Sequence, residues 1–289
     1  MQLPFGLPEV DYSEYSNRQL AAVPLAVLLA ALVVIGGFWA VTGAPVEPGI
    51  AFTGGTEMRV TPTGDQARED LQNAFETPPE SIQSVPSDDS FIVTFGNDVA
   101  ATAVEDQAQQ AGFEVGAVDD VSGSFGQSAQ IQAIGGVIVA FGGMSVLVFA
   151  MFRSFVPSIA VVLSAFSDIV VPVALMNLFG IELTLGSVAA LLMLIGYSVD
   201  SDILLNNHVI RRSGGFYESA YSAMQTGITM TLTSIAAMTA MTIVAALFGI
   251  ELLSSIGLIL VFGLVTDLMN TYLLNMSLLR WWKFEGVGR

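Results

Sequence analysis

Six runs of about 20 mostly apolar residues punctuate the chain: Leu20–Val41, Ile131–Met151, Val156–Phe179, Leu183–Leu205, Ile228–Leu247 and Leu252–Leu273. A helix of that length crosses the hydrocarbon core of a bilayer, so the pattern predicts a polytopic α-helical membrane protein with six transmembrane helices. The first run follows a polar, acidic stretch (Glu9, Asp11, Glu14) and is too long for a signal-peptide core, so it reads as a retained anchor. The predicted divisions are an N-terminal segment 1–19, a first helix 20–42, a polar domain 43–130, five helices over 131–279 and a tail 280–289.

Within 43–130 the period changes. Ile50–Thr61 is a strand-like run ending at Pro62, and Thr63–Gln66 has capping-box spacing ahead of a helix to Phe75 with Ala67, Leu71 and Ala74 on one face. Ser81–Pro86 and Phe91–Phe95 are short strands about a turn at Ser87–Ser90. Asn97 can cap a helix over Val99–Ala111 that stops at Gly112, and Phe113–Val121 alternates as a last strand. The order β-α-β-β-α-β is the split-βαβ, ferredoxin-like pattern, so this segment is an α+β domain.

Charge orients the chain. With the N-terminus cytoplasmic, Arg18, Arg153, Arg211, Arg212, Arg280, Lys283 and Arg289 lie inside and only Arg59 and Arg68 outside, as the positive-inside rule requires. The expected location is the cell membrane, with both termini cytoplasmic, residues 43–130 extracytoplasmic and Trp281–Trp282 as an interfacial anchor. Net charge is −17, and residues 43–130 carry fifteen Asp/Glu against two Arg, hence −13 of it. Such a surface argues against nucleic acid as a partner. It reads as a solvated face that keeps a domain soluble at high salt, in preference to an acidic recognition patch. With no Cys there are no disulfides, thiol chemistry or thiolate metal sites. Phosphate-binding glycine loops, nucleophile elbows and zinc motifs are absent, so no enzyme, no cofactor and no metal are expected, and ATP is not the direct fuel. His208, the only histidine, reads as an interfacial residue.

Polar positions inside the spans carry the candidate chemistry. A carboxylate in mid-bilayer costs about 2.5–3.5 kcal/mol on insertion scales, so it must face protein or water. Four fall there: Asp168, Asp200, Asp202 and Asp267. Asp168 lies four residues before Pro172, whose missing N–H frees a carbonyl. Asp267, Asn270, Thr271 and Asn275 share one helix face. Asp200 and Asp202 are two residues apart and point to different sides; Asp200 lies deeper and is expected to be the buried titrating group, with Asp202 and Asn206 reaching cytoplasmic water. No Lys or Arg lies within any span to pair with them. Desolvation disfavours a charged carboxylate, so these groups are either ion-coupling sites or neutral hydrogen-bonding cement between helices; for Asp168 and Asp267 both readings stay open. Gly135-Gly136 and Gly142-Gly143 permit close helix contact. The hydroxyls of Thr229, Thr231, Thr233, Ser234, Thr239 and Thr242 either bond their own helix or line a polar crevice.

At these residues the chain resembles a known family. Gly49-Ile50-Ala51-Phe52-Thr53-Gly54-Gly55-Thr56 resembles a Gly-Ile-Asp-Phe-x-Gly-Gly-Thr motif just after the first span. Ile195-Gly196-Tyr197-Ser198-Val199-Asp200 resembles an Ile-Gly-Tyr-Ser-x-Asn-Asp stretch of the fourth, Phe166-Ser167-Asp168 is similar to a His-Asp pair of the third, and Thr229–Ser234 to the Thr/Ser-rich start of the fifth. With six spans and one large loop, this is the plan of the SecF family, export-complex subunits related to half of an RND transporter. Ala51, Ser167, the Asp200-Ser201-Asp202 triplet and Gln225-Thr226-Gly227 depart from bacterial members, the last where those carry an Arg. Together with the acidic loop they resemble an archaeal, haloarchaeal member, and they leave the coupling ion as proton, sodium or none.

The resemblance implies an accessory subunit of the Sec translocase, paired with SecD beside a SecY-type channel and acting on the translocating polypeptide, with Asp200, Asp202, Asp168, Asp267 and Asn270 as ion-coupling candidates. Gly54, Gly55, Thr56, Gly196, Tyr197 and Ser198 are motif positions. Half of a small-molecule RND-type exporter and a non-transporting tether or sensor are the alternatives. An intramembrane aspartyl protease using Asp200 and Asp267 would need a Gly-x-Gly-Asp context that is missing.

Overall fold

The structure is a computed structural model and describes residues 12–62, 68–85, 89–211 and 215–286. The predicted Thr63–Gln66 capping box and the first half of the turn at 87–90 lie outside them. Helix α1 (Asn17–Thr42) starts at a capping box: Ser16 Oγ accepts from Gln19 N–H at 3.3 Å while Gln19 Oε1 accepts from Ser16 N–H at 2.8 Å. It ends at Gly43, whose φ of 82° closes the last turn.

The predicted strand from Ile50 begins later than expected. Ile50–Thr53 is a single helical turn, α2, and only Gly55–Pro62 is strand β1. The glycine pair makes the switch, with φ of 76° at Gly54 and 134° at Gly55, values that side chains oppose. There follow α3 (Arg68–Asn73), β2 (Ser81–Val85), β3 (Ser90–Phe95), α4 (Ala101–Gln110) and β4 (Phe113–Val121). The sheet order is β2-β3-β1-β4, with antiparallel neighbours throughout, which is the ferredoxin-like arrangement read from the sequence. Met58, Val60, Val93 and Phe95 from one sheet face bury against Leu71 of α3 and Val104 and Ala108 of α4. Asn97 does not cap α4, whose N-cap is Ala100; its Nδ2 instead donates to Thr53 O at 3.4 Å.

Helix α5 (Gly123–Phe152) begins at Gly123 and not near Ile131, because Ser122 caps it, accepting from Phe125 N–H at 3.4 Å directly after β4. It is followed by α6 (Phe155–Phe179), α7 (Leu185–Arg211), α8 (Phe216–Leu247) and α9 (Glu251–Met269), which continues through a π-helical turn, Asn270–Asn275, into α10 (Met276–Phe284). Among the described residues six helical stretches are long and apolar enough to cross a membrane, and the protein is a multi-pass membrane protein. α6, α7 and α9 form the interior of the bundle; α1, α5 and α8 lie around them. Small residues set the approach, since a Cβ at Gly263 of α9 would overlap the Leu194 side chain of α7. The paired glycines in the middle of α5 make no such contact: among the described residues nothing lies within 4 Å of a Cβ at Gly135, Gly136, Gly142 or Gly143.

The sheet domain is tied to the bundle at one end. Leu183 N–H donates to Glu47 O at 2.7 Å, Gly49 N–H to Leu183 O at 2.9 Å, and Asn177 Nδ2 to Pro45 O at 2.9 Å. Glu182, in the α6–α7 turn, is pushed up from 4.5 to about 7 by burial and by the neighbouring Glu47, Glu57, Glu251 and Glu80. A carboxyl that is harder to ionise when folded withdraws stability as pH rises from 4.5 through about 7. Glu182→Gln is therefore expected to raise the thermal midpoint at pH 8 relative to the unmodified chain, with the gap closing toward pH 4.5. Parallel melting in detergent at both pH values checks this; a pH-independent gap contradicts it.

Candidate functional site

Inside the bundle three carboxylates from three helices share one hydrogen-bond network. Asp168 of α6 accepts from Ser198 Oγ of α7 at 2.6 Å and from Asn270 Nδ2 at 2.6 Å. Asp202 of α7 accepts at Oδ1 from Thr271 Oγ1 and Asn275 Nδ2, each at 2.8 Å. Asp267 of α9 accepts at Oδ1 from Ser201 Oγ at 2.7 Å and from Thr271 Oγ1 at 3.3 Å. Asn206 Nδ2 donates to Asp202 O at 2.7 Å and reaches Asn275 Oδ1 at 3.4 Å.

Each donor comes from a definable local feature. Asn270, Thr271 and Asn275 sit on the π-helical turn, whose wider winding lets Thr271 and Asn275 meet the same oxygen of Asp202. The predicted stripe of Asp267, Asn270, Thr271 and Asn275 is thus brought together, and Asn270 links it to Asp168. Ser198 enters from the Gly-Tyr-Ser motif, while its neighbours Gly196 and Tyr197 are exposed on the outer side of α7.

The expected burial of Asp200 and Asp202 is reversed. Asp202 is wholly buried and Asp200 is exposed. Rotation about the helix decides this, not distance from its end: Leu191, Leu194, Ser198, Asp202, Leu205 and Val209 recur at three- and four-residue spacing and form the inward stripe of α7. Asp200 falls outside that stripe. It lines a cavity of about 410 Å³ between α7 and α8 together with Tyr197, Ser201, Asn207, Thr231 and Ser234.

Among the described residues, several polar atoms in and beside the network are buried and unpaired. Asp202 Oδ2, Asn206 Oδ1 and Asn270 Oδ1 are buried without a hydrogen-bond partner, as are Ser164 Oγ and Ser167 Oγ of α6. Ser164 and Ser167 lie four and one residues before Asp168; the four-residue spacing is the signal for the first, and the second is the position marked by the resemblance of Phe166-Ser167-Asp168 to a His-Asp pair. Residues 155–210 and 216–279 contain no Lys or Arg, so no side-chain cation balances these carboxylates from within the spans. Among the described residues no three acidic or histidine side chains are grouped to hold a metal ion.

The hydroxyls of α8 divide between the two expected roles. Thr226, Thr229, Thr233 and Thr242 donate to carbonyls of their own helix at 2.7–3.3 Å, whereas Thr231 and Ser234 line the cavity. His208 Nδ1 lies 2.9 Å from Leu204 O of its own helix and takes no part in the network.

The Gly54-Gly55-Thr56 motif is separate and builds the joint between sheet and bundle. A Cβ on Gly54 would strike the Gly123 backbone at the start of α5, and one on Gly55 the Phe95 carbonyl of β3. Thr56, fully buried, donates from Oγ1 to Asp120 Oδ1 of β4 at 2.9 Å.

Comparison with known proteins agrees with this architecture. Residues 101–285 match the family described as protein export membrane protein SecD/SecF, C-terminal. The chain is 68% identical over 286 residues to a protein-export membrane protein SecF of Haloferax volcanii and 63% identical over 289 residues to one of Haloquadratum walsbyi, covering 99% of this chain and of each relative. It superimposes on the crystal structure of SecDF, a translocon-associated membrane protein from Thermus thermophilus, with a TM-score of 0.76 at 21% identity, covering 97% of this chain but 40% of that one. By full-length identity to these relatives, the chain belongs to the SecF family of protein-export membrane proteins.

Proposed function

We propose that this SecF-family subunit acts with SecD, beside a SecY-type channel, to promote export of a translocating polypeptide, and that an ion gradient passing the buried carboxylates drives it. One observation carries the reading: Asp168, Asp202 and Asp267 converge from three helices into one buried polar network with no basic side chain within the spans. Buried carboxylates without a counter-ion stay in membranes where they serve ion movement. Each elementary charge crossing 100 mV releases about 2.3 kcal/mol, a usable driving force.

Orientation follows from the basic residues, with both termini cytoplasmic and the sheet domain outside. In that orientation the sheet domain meets the emerging chain, and the hydrogen bonds between 45–49 and 177–183 couple it to α6 and the α6–α7 turn. The open faces of α5 and α8 and the exposed Asp200 suit a second membrane half, the position assigned to SecD.

Pulse-chase export of a Sec-dependent secreted reporter, in cells depleted of this chain, tests the reading. Slow export restored by the unmodified chain but not by Asp168→Asn at matched membrane levels is the expected result. Normal export in depleted cells removes the export role, and full rescue by Asp168→Asn removes the coupling role of that carboxylate.

A further inference from the structure

Ser201 belongs to two environments at once. Its side chain lines the 410 Å³ cavity between α7 and α8, and its Oγ is 2.7 Å from Asp267 Oδ1 in the buried network. Among the described residues it is the one hydroxyl that both lines this cavity and contacts a buried carboxylate of the network. The cavity wall is polar at Asp200, Asn207, Thr231 and Ser234. A carboxylate such as Asp200 on a bundle wall is tolerated when it faces water or protein, and not lipid.

The hydroxyl also has two alternative acceptors for a single hydrogen. Ser198 O lies 2.9 Å from Ser201 Oγ and Asp267 Oδ1 lies 2.7 Å from it, with Thr271 Oγ1 at 3.3 Å. A hydroxyl carries one donor and two acceptor lone pairs, so the Ser201 O–H can point at Asp267 when that group is a carboxylate. It can turn to the Ser198 carbonyl when Asp267 is protonated and itself donates.

We infer that Ser201 is the hydroxyl relay through which Asp267 exchanges protons with water in the α7–α8 cavity. This rests on the coupling reading above and names the proton as the ion at this point. In the outward step the Ser201 O–H turns from the Ser198 carbonyl to a cavity water, and Asp267 gives its proton to Ser201 Oγ as the Ser201 proton passes to that water. One O–H bond breaks at Asp267, one forms and one breaks at Ser201, and one forms at water, leaving a carboxylate, a neutral hydroxyl and a hydronium ion. Asp200, on the same cavity wall, is the carboxylate placed to take that proton onward. After the transfer the Ser201 O–H points at the Asp267 carboxylate; once Asp267 is reprotonated, rotation of that hydroxyl by way of the Ser198 carbonyl back to the cavity resets the relay.

The chain has no cysteine, so a single introduced thiol reports local water access without further changes. In membranes containing the chain with its partners, Ser201→Cys is expected to react with 2-(trimethylammonium)ethyl methanethiosulfonate, as is Asn207→Cys, while Ser198→Cys, buried against Asp168, stays unmodified. In the pulse-chase assay, Ser201→Ala is expected to slow export to the level of Asp267→Asn, and Ser201→Thr, which keeps the hydroxyl, to restore it, all at matched membrane abundance. An unreactive Ser201→Cys beside a reactive Asn207→Cys overturns the cavity connection. Rapid export by Ser201→Ala, or failure of Ser201→Thr to restore it, overturns the relay while the coupling reading stands if Asp267→Asn is slow. Rapid export by Asp267→Asn as well counts against the coupling reading at that carboxylate and takes the relay with it.

Discussion

Gly55→Val is expected to remove the chain from the membrane almost entirely. At φ of 134° the Gly55 backbone occupies a region that a β-branched side chain does not reach, and such strain costs about 1–3 kcal/mol. The new Cβ would also overlap the Phe95 carbonyl of β3, a backbone atom held by the β1–β3 ladder in which Thr56 pairs with Phe95. Forcing that pair apart adds overpacking of about 1–3 kcal/mol. The sum is a large share of the ~5–15 kcal/mol that holds a domain folded. The damage lies at the joint: Gly54 packs on Gly123, and Gly126 of α5 on Phe52 and Gly54, so displacing β1 also displaces the start of α5. Gly136→Ala is the matched control, since nothing within 4 Å meets its Cβ, and this variant should accumulate normally. Quantitative immunoblotting of membranes and limited proteolysis of the sheet domain read the outcome. Normal abundance and resistance of Gly55→Val would show that the joint tolerates a side chain.

The elements of this protein are legible because two periods are written clearly into the chain. The apolar runs mark every membrane helix, and the alternation at Phe113–Val121 gives β4 with the bounds observed. Errors come where a local signal is weaker than the geometry around it. Ile50–Thr53 is apolar and β-branched enough to read as strand, yet the strand can start only after the backbone reverses at Gly54 and Gly55. Asn97 has the right chemistry for a cap, but Thr53 O, 44 positions earlier in the chain, takes its side chain. The carboxylate stripe of Asp267, Asn270, Thr271 and Asn275 was visible by spacing; its junction with Asp168 and Asp202 was not, because that depends on how α6, α7 and α9 rotate against one another. For α7 the clue lay in the sequence, in the three- and four-residue spacing that joins Leu194, Ser198, Asp202 and Leu205. Counting depth from the helix end ignores that stripe and selects Asp200 in its place.

Asp202→Asn is expected to slow export far more than Asp200→Asn, the reverse of what depth alone predicts. Asn at position 202 keeps an oxygen to accept from Thr271 and Asn275, and puts an amide where Oδ2 lies buried without a partner. The packing therefore survives, and any buried donor left unpaired costs about 1–3 kcal/mol, below the margin of a folded domain. What the substitution removes is the capacity to gain and lose charge at the centre of the network. Asp200→Asn alters an exposed cavity wall that retains Asn207, Thr231 and Ser234, so part of the polar path persists. The comparison is made by pulse-chase export with both variants at equal membrane abundance, alongside their thermal midpoints in detergent. Slow export by Asp202→Asn with a near-normal midpoint assigns the buried carboxylate to coupling. A lowered midpoint with export in proportion to the folded fraction would make Asp202 a structural acceptor, and a larger export defect in Asp200→Asn would move the coupling step to the cavity wall.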